Sequence, residues 1–155
     1  MPIVRDRGWK STARAVRAAA AGADAFVLVG IQGNKAAQQK EGTDEPITLV
    51  EVAAFNEFGL GVPERSFLRG TFDLMQHQLE RLSERLGERV ASGQMDTRQA
   101  LNIVGHALVN AIKDRISAGI EPPNAQSTID RKGSSIPLID HGQLRSSITH
   151  VVKGG

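Results

Sequence analysis

The chain has 155 residues and a net charge of +2, with 40% hydrophobic and 23% charged residues, which is typical of one globular domain. It contains no Cys, so disulfides and thiolate metal sites are excluded. No apolar run approaches the roughly 20 residues that span a bilayer, and residues 1–10 lack the apolar core of a signal peptide. We therefore expect synthesis in the cytoplasm and no membrane contact.

The charge is distributed unevenly along the chain. Residues 1–40 carry seven Lys/Arg against two Asp/Glu, whereas residues 41–112 carry six against eleven. A basic arm ahead of an acidic body is compatible with nucleic-acid binding, with head-to-tail docking between copies, and with a solvated basic helix. The sequence leaves these three alternatives open.

The first part of the chain predicts a basic arm, a strand and a loop. Residues 11–21 form an Ala-rich helical pattern that Gly22 ends, so that residues 1–22 are a basic N-terminal arm or helix. The short β-branched run over 25–31 predicts a buried strand. Residues 32–46 are polar and aperiodic, which predicts a loop that is mobile in the free protein.

Three helices follow. Thr48 and Glu51 form a capping-box pattern ahead of a helix that ends at Phe58, with Gly59 as its C-cap. Apolar residues at three-to-four spacing predict a long helix over 70–91 and another over 97–118. A short link between the two long helices indicates an antiparallel hairpin.

The end of the chain predicts an irregular segment, a turn and a strand. Residues 120–136 carry no helix or strand pattern. Asp140 is expected to cap a turn in which Gly142 is the turn glycine, and the alternating run over 147–152 predicts a second strand. We predict a single α+β domain, in which a small antiparallel sheet packs on the helical hairpin.

No pattern in the sequence indicates catalysis, a metal site or a cofactor. The four histidines, His77, His106, His141 and His150, lack zinc-site spacing. Asp140 and His141 lie near several serines, but no strained G-x-S-x-G turn accompanies them, so a hydrolase is disfavoured. Phosphate-binding glycine motifs are also missing. The candidates for contacting nucleic acid are Arg5, Arg7, Lys10, Arg14 and Arg17, with Trp9 alone available to stack on a base.

Two blocks of sequence carry a resemblance to a known family. One is Glu57-Phe58-Gly59 followed by Val62-Pro63-Glu64-Arg65-Ser66-Phe67-Leu68-Arg69. The other runs from Pro122 to Thr149 and includes Ser127-Thr128-Ile129 and Pro137-Leu138-Ile139-Asp140-His141-Gly142. Both blocks resemble the tail-completion or minor tail components of tailed bacteriophages, also called phage virion morphogenesis proteins, although His141 stands where Thr is common.

The resemblance implies a structural virion protein rather than an enzyme. Members of this family act at the neck or the head-proximal end of the tail, after assembly in the host cytoplasm. Related proteins form rings, commonly sixfold, around the channel that the DNA traverses. The implied partners are further copies of the chain, the tail tube or tail terminator, the head–tail connector, and genomic DNA that passes without sequence recognition.

Residues in both blocks are candidates for assembly contacts. In the first block, Pro63, Arg65, Phe67 and Arg69 alternate aromatic and Arg groups, which are favoured at interfaces. An equal alternative for Phe67 is that it fills the core. In the second block the candidates form an arm that could reach a neighbouring subunit: Ser127, Thr128, Ile129, Arg131 and Lys132. We expect part of the 124–136 segment to become ordered only on assembly.

Overall fold

The computed structural model describes residues 24–41, 46–133, 135, 138 and 142–154. The elements in chain order are β1 (Phe26–Ile31), α1 (Leu49–Phe58), α2 (Arg69–Ala91), α3 (Thr97–Ala118), α4 (Gln126–Lys132), α5 (Gln143–Ser147) and β2 (Ile148–Lys153). The helix predicted over 11–21 lies outside the described residues.

The α+β prediction is confirmed. Strands β1 and β2 pair in a two-stranded antiparallel sheet, and α2 and α3 form the hairpin that packs on it. Both strands and both long helices begin and end within two residues of the bounds that the sequence predicts.

The predicted helix caps also form. Thr48 N–H donates to Glu51 Oε2 at 2.8 Å and Glu51 N–H donates to Thr48 Oγ1 at 3.3 Å, which completes the capping box of α1. Asp96 and Gln99 exchange the same pair of hydrogen bonds ahead of α3. Gly59 ends α1 with φ of 68°, in the left-handed region that favours glycine.

The chain divides into two compact units, and we describe each by itself. In the first, the described residues are 24–28, 77–105 and 151–154. Its core forms where the two long helices meet, from Leu86, Val90 and Ala100. Arg98 also donates to the carbonyl oxygens of Val152 and Gly154, at 3.2 and 3.1 Å, so α3 is fixed to the end of β2.

The second unit comprises residues 29–76 and 106–150 and contains the larger core. Apolar side chains from α1, α3, α5 and β2 surround Phe67, which is completely buried. The other buried members are Ala53, Val109, Ile112, Ile116, Ile120, Leu138, Leu144 and Ile148.

The structure corrects one prediction for the 120–136 segment and adds detail to the 32–46 loop. The segment is not irregular throughout, because Gln126–Lys132 form α4, which ends at Gly133 in the left-handed conformation. A hydrogen bond of 2.8 Å from Gln126 Nε2 to Asp130 Oδ1 supports this short helix. In the loop, Gln39 forms an antiparallel bridge with Thr48, and Gln143 bonds to Glu41 N–H and to the Gln39 carbonyl.

Within the described part of the chain, no helix is both long enough and apolar enough to cross a membrane.

Candidate functional site

The first block of the family resemblance is organised around a buried carboxylate, that of Glu57. Glu57 is the penultimate residue of α1, and only 3% of it is exposed. Its two oxygens accept hydrogen bonds from Ser66 Oγ at 2.8 Å, from Leu68 N–H at 2.9 Å and from Arg69 N–H at 3.0 Å. Arg69 Nε donates to the same carboxylate at 3.0 Å. The end of α1 is thereby joined to the start of α2.

Glu57 supplies the negative charge that the first turn of α2 lacks. That turn has no acidic residue of its own, and the N-terminus of a helix attracts anions through its unpaired N–H groups. Burial alone would raise the pKa of Glu57, but the hydrogen bonds from Leu68, Arg69 and Ser66 outweigh burial and hold the pKa below its ordinary value. Glu57 is therefore a fixed anion that orients two helices.

The two blocks of the resemblance are joined by a second buried ionic side chain, that of Arg65. Arg65 is 7% exposed, and its Nε donates to the Pro122 carbonyl at 2.8 Å. Its second amino group donates to the Pro123 carbonyl at 3.2 Å. Burial lowers the pKa of Arg65, although the guanidinium stays charged at any physiological pH. The side chain connects residues 57 positions apart in sequence.

A cavity of about 530 Å³ lies beside Arg65, within the second unit. Its apolar walls come from α1, from α5 and from the two prolines that Arg65 contacts, with Leu49, Val52, Leu138 and Leu144 among them. Polar groups at the cavity take part in internal hydrogen bonds: Asn56 donates to the Val52 carbonyl, and Gln143 bonds to the 39–41 segment. The cavity is an apolar recess whose polar groups support the backbone around it.

The same block also exposes an apolar surface, and one residue of this surface, Val62, borders the cavity. Seven of the ten residues of α1 are apolar, and they lie on all sides of the helix rather than on one. Leu49 and Ala53 face the core, whereas Phe58 is 55% exposed and Leu60 is 54% exposed. We call the outward-facing set the outer surface; it consists of Phe55, Phe58, Leu60 and Val62, with Glu51 and Glu64 beside them.

The turn after α1 gathers this outer surface into a compact patch. The N–H groups of Gly59 and Leu60 both donate to the Phe55 carbonyl, an arrangement that brings the residue after the turn back against the last turn of the helix. A Cβ atom at Gly59 would lie 3.1 Å from the Cβ of Glu64, so the loop passes close over the helix end. Arg69 stacks on the Phe58 ring at 4.7 Å.

Two of the four candidate assembly residues of the first block are buried, and the other two are exposed. Phe67 and Arg65 are buried in the single chain: the core surrounds Phe67, as the core alternative expects, and the Pro122 and Pro123 carbonyls hold Arg65. Arg69 keeps 55% of its side chain exposed while it bonds to Glu57 and Glu64. Pro63 is exposed and lines the mouth of the cavity.

The candidates of the second block lie on or beside α4. Ser127 is exposed, whereas Thr128 and Ile129 are partly buried and Thr128 lines the cavity. Arg131 and Lys132 belong to the last turn of α4. Asp140 and His141 lie outside the described residues, and the residue that precedes α5 is Gly142, with φ of 71°.

Histidines and serines form no recognisable catalytic or metal group in the described residues. The rings of His106 and His150 meet edge to face, with 4.4 Å between their centroids. Among the described residues, no three or more His, Asp or Glu side chains cluster where they could hold a metal ion. Ser147 Oγ donates to the Leu144 carbonyl at 2.6 Å, and Ser146 Oγ donates to the Gln143 carbonyl. These two hydroxyls stabilise the short helix α5.

Sequence reasoning missed the role of Glu57 and the exposure of Phe58, Leu60 and Val62. A signal for the outer surface existed, because α1 has apolar residues on every side and a helix of that kind is either fully buried or partnered. The role of Glu57 had no local signal, since its partners lie nine to twelve residues away.

Comparisons of the chain with protein-family models, with curated proteins and with solved structures find no match.

Proposed function

We propose that the chain is a structural virion protein of a tailed phage or prophage. It acts in tail completion or head–tail joining at the neck, where it forms or joins a ring around the DNA channel, with sixfold symmetry favoured. Its partners are further copies of itself and the tail tube, tail terminator or connector proteins. The resemblance of the two sequence blocks to tail-completion proteins is the origin of this proposal.

The observation that carries the proposal is the outer surface. Phe55, Phe58, Leu60 and Val62 are exposed together at one helix end, and a soluble chain that functions alone has little reason to keep such a patch in water. Glu57 and Arg65, which fix the backbone on either side of the turn that carries this patch, belong to the blocks that carry the resemblance. A rigid frame that presents an apolar surface suits an assembly protein better than an enzyme.

The charge pattern supports the placement around DNA. The exposed glutamates of α2, Glu80, Glu84 and Glu88, form a negative row that repels phosphate, and an adjacent row of exposed arginines, Arg81, Arg85 and Arg89, points in a different direction around the helix. We propose that the glutamate row faces the channel, so that DNA passes without being retained.

The proposal can be tested on purified particles of the phage or prophage that encodes the chain. Mass spectrometry of purified virions should detect the chain at a fixed copy number, and native mass spectrometry should show a discrete oligomer, alone or with a tail partner. Phe58→Asp should abolish incorporation into particles. Leu74→Asp is the matched control, because Leu74 is 73% exposed on α2 and lies outside the outer surface. Absence of the chain from mature particles would overturn the structural role.

A nucleic-acid-binding module is the second candidate function, and it rests on the five basic residues of the N-terminal arm. Those residues lie outside the described part of the chain. Binding to duplex DNA that falls steeply with added salt would favour this candidate. Binding that is undetectable at low ionic strength would eliminate it.

A further inference from the structure

We propose that the outer surface receives the basic N-terminal arm, residues 1–22, of a second copy of this chain. The inference rests on the proposed assembly function and specifies which part of a neighbouring subunit covers the exposed patch. Docking of the arm of one copy on the next copy makes a head-to-tail contact, and contacts of this kind form a ring where the rotation between copies closes.

The charge of the residues around the outer surface is the first reason to expect a basic partner there. Residues 41–73, which contain the outer surface, carry seven Asp/Glu against two Arg. One of those arginines, Arg65, is buried against carbonyl groups, and the other, Arg69, is paired with Glu57 and Glu64. Of the seven acids, Glu57 is buried in that pairing, and Asp44 and Glu45 lie outside the described residues. The exposed acidic side chains beside the patch are those of Glu51 and Glu64, and they favour a partner of the opposite charge.

The second argument is the composition of the arm. It carries five Lys/Arg against one Asp, together with Ile3, Val4, Trp9 and Val16 as apolar groups. Tryptophan and arginine are the residues most often found as anchors at interfaces. The arm therefore offers positive charge to the glutamates beside the outer surface and a large apolar side chain to its exposed phenylalanines.

The third argument is geometry at the patch. Phe55, Phe58 and Leu60 are held by a capped helix end and by a turn that Gly59 fixes, so the surface is formed before any partner arrives. A surface that is already rigid loses little conformational entropy on binding. The guanidinium carbon of Arg69 lies over the Phe58 ring at 4.7 Å from its centroid, so this ring already accepts a cation on its face.

Trp9 makes the inference measurable in the full-length protein. It is the only Trp in the chain, so its emission reports the environment of the arm without a label. We expect the emission maximum to shift to shorter wavelength as the protein concentration rises, because the docking is between copies. High salt should weaken the shift, because the Debye screening length falls to about 3 Å in 1 M salt and the attraction between charges farther apart than this is largely screened.

Variants distinguish the outer surface from other surfaces. Leu60→Asp should raise the midpoint concentration of the shift at least about tenfold, as expected for loss of an interface anchor. Leu74→Asp, at an exposed apolar position elsewhere, should leave the midpoint unchanged. Charge reversal by Glu51→Lys with Glu64→Lys should also weaken docking, and Arg14→Glu with Arg17→Glu in the same chain should restore it. Each variant must keep the wild-type circular dichroism and thermal midpoint to be interpreted.

Because the chain has no Cys, engineered cysteines identify which copies are joined. A copy with Lys10→Cys mixed with a copy with Val62→Cys should give a disulfide-linked pair that contains one of each. Trp9 emission that does not change with concentration, across a range in which native mass spectrometry shows the oligomer form, would overturn the arm inference and leave the assembly proposal standing. Concentration-dependent docking in a protein that is absent from virions would overturn the assembly proposal and leave the arm inference standing.

Discussion

The two sides of the segment that joins α1 to α2 differ in chemistry although they are only a few residues apart. On the inner side, Glu57, Arg65 and Phe67 are buried, and the two charged groups bond to four donors and two carbonyl acceptors respectively. On the outer side, Phe58 and Leu60 are about half exposed and make no comparable set of contacts. One short motif therefore contains both buried residues that fix the backbone and exposed apolar residues, and its most distinctive residues are the buried ones.

The largest loss of stability is expected when Phe67, on the inner side, is truncated. Phe67→Ala removes a completely buried ring from the larger core and is expected to lower the free energy of unfolding by about 3–5 kcal/mol. Urea denaturation followed by circular dichroism measures this loss. A loss below about 1 kcal/mol would mean that Phe67 is not a core residue and that the inner side is not a frame.

The next effect is expected at Glu57. Glu57→Gln keeps the shape of the side chain but removes the charge that four donors surround, so we expect a loss of about 2–3 kcal/mol. Glu64→Gln is the matched control, because the Glu64 side chain is 58% exposed and surface changes are usually within about 0.5 kcal/mol. Equal losses at the two positions would contradict the role of Glu57 as the link between helices.

Arg65→Lys should have a smaller but measurable cost. The two carbonyls that Arg65 contacts need a planar fork of donors, and a lysine ammonium is a single point charge. We expect a loss of about 1–2 kcal/mol and faster hydrogen exchange in residues 122–125. Unchanged exchange in that segment would show that Arg65 does not hold the two blocks together.

Phe58→Ser tests the outer side directly. It removes the stacking partner of Arg69, which contributes about 0.5–1 kcal/mol, and a ring that is 55% exposed. We expect a small change in stability together with loss of the oligomer in sedimentation velocity. A variant that loses stability as Phe67→Ala does, or that still assembles, would remove the distinction between the two sides.

The smallest expected effect is a pH dependence of stability that arises from His150, in strand β2. Burial, and then repulsion from His106, lower the pKa of His150 below its ordinary value of 6.5. The unfolded chain therefore binds this proton at higher pH than the folded chain, and stability falls as the pH drops through about 6.5 and below. Thermal midpoints between pH 7.5 and 5 measure the slope.

The histidine contact supplies its own controls. His106→Asn removes the repulsion and should make the decline with falling pH shallower. His77→Asn changes a side chain that is 88% exposed and should leave the slope as it is. A slope that is the same in all three proteins would show that the His106–His150 contact does not govern the titration.

Much of the fold could be predicted from the sequence because its signals are local. The capping boxes at Thr48 and Asp96 depend on residues three positions apart, and the strands follow from short β-branched runs. Gly59 and Gly142 were expected at turns, and both have positive φ. The short helix α4 was missed because its only apolar side chain is Ile129 and turn formers surround it.

The site could be predicted only in part, because its contacts join distant residues. Nothing near Arg65 indicates that carbonyls 57 and 58 positions later will accept its hydrogen bonds. An arginine between Pro63 and Phe67 has the composition of an interface anchor, and only the fold shows that it points inward. Within the first block, the exposed residues are Phe58 and Leu60, whereas Arg65 and Phe67 are buried.

We expect the outer surface to become covered when copies of the chain assemble. Hydrogen–deuterium exchange, compared between dilute monomer and the assembled oligomer, measures that coverage directly. Our account predicts new protection over residues 55–62 on assembly, with the exchange of the buried segment 109–116 unchanged. Assembly that leaves residues 55–62 as accessible as in the monomer, with the new protection elsewhere, would contradict it.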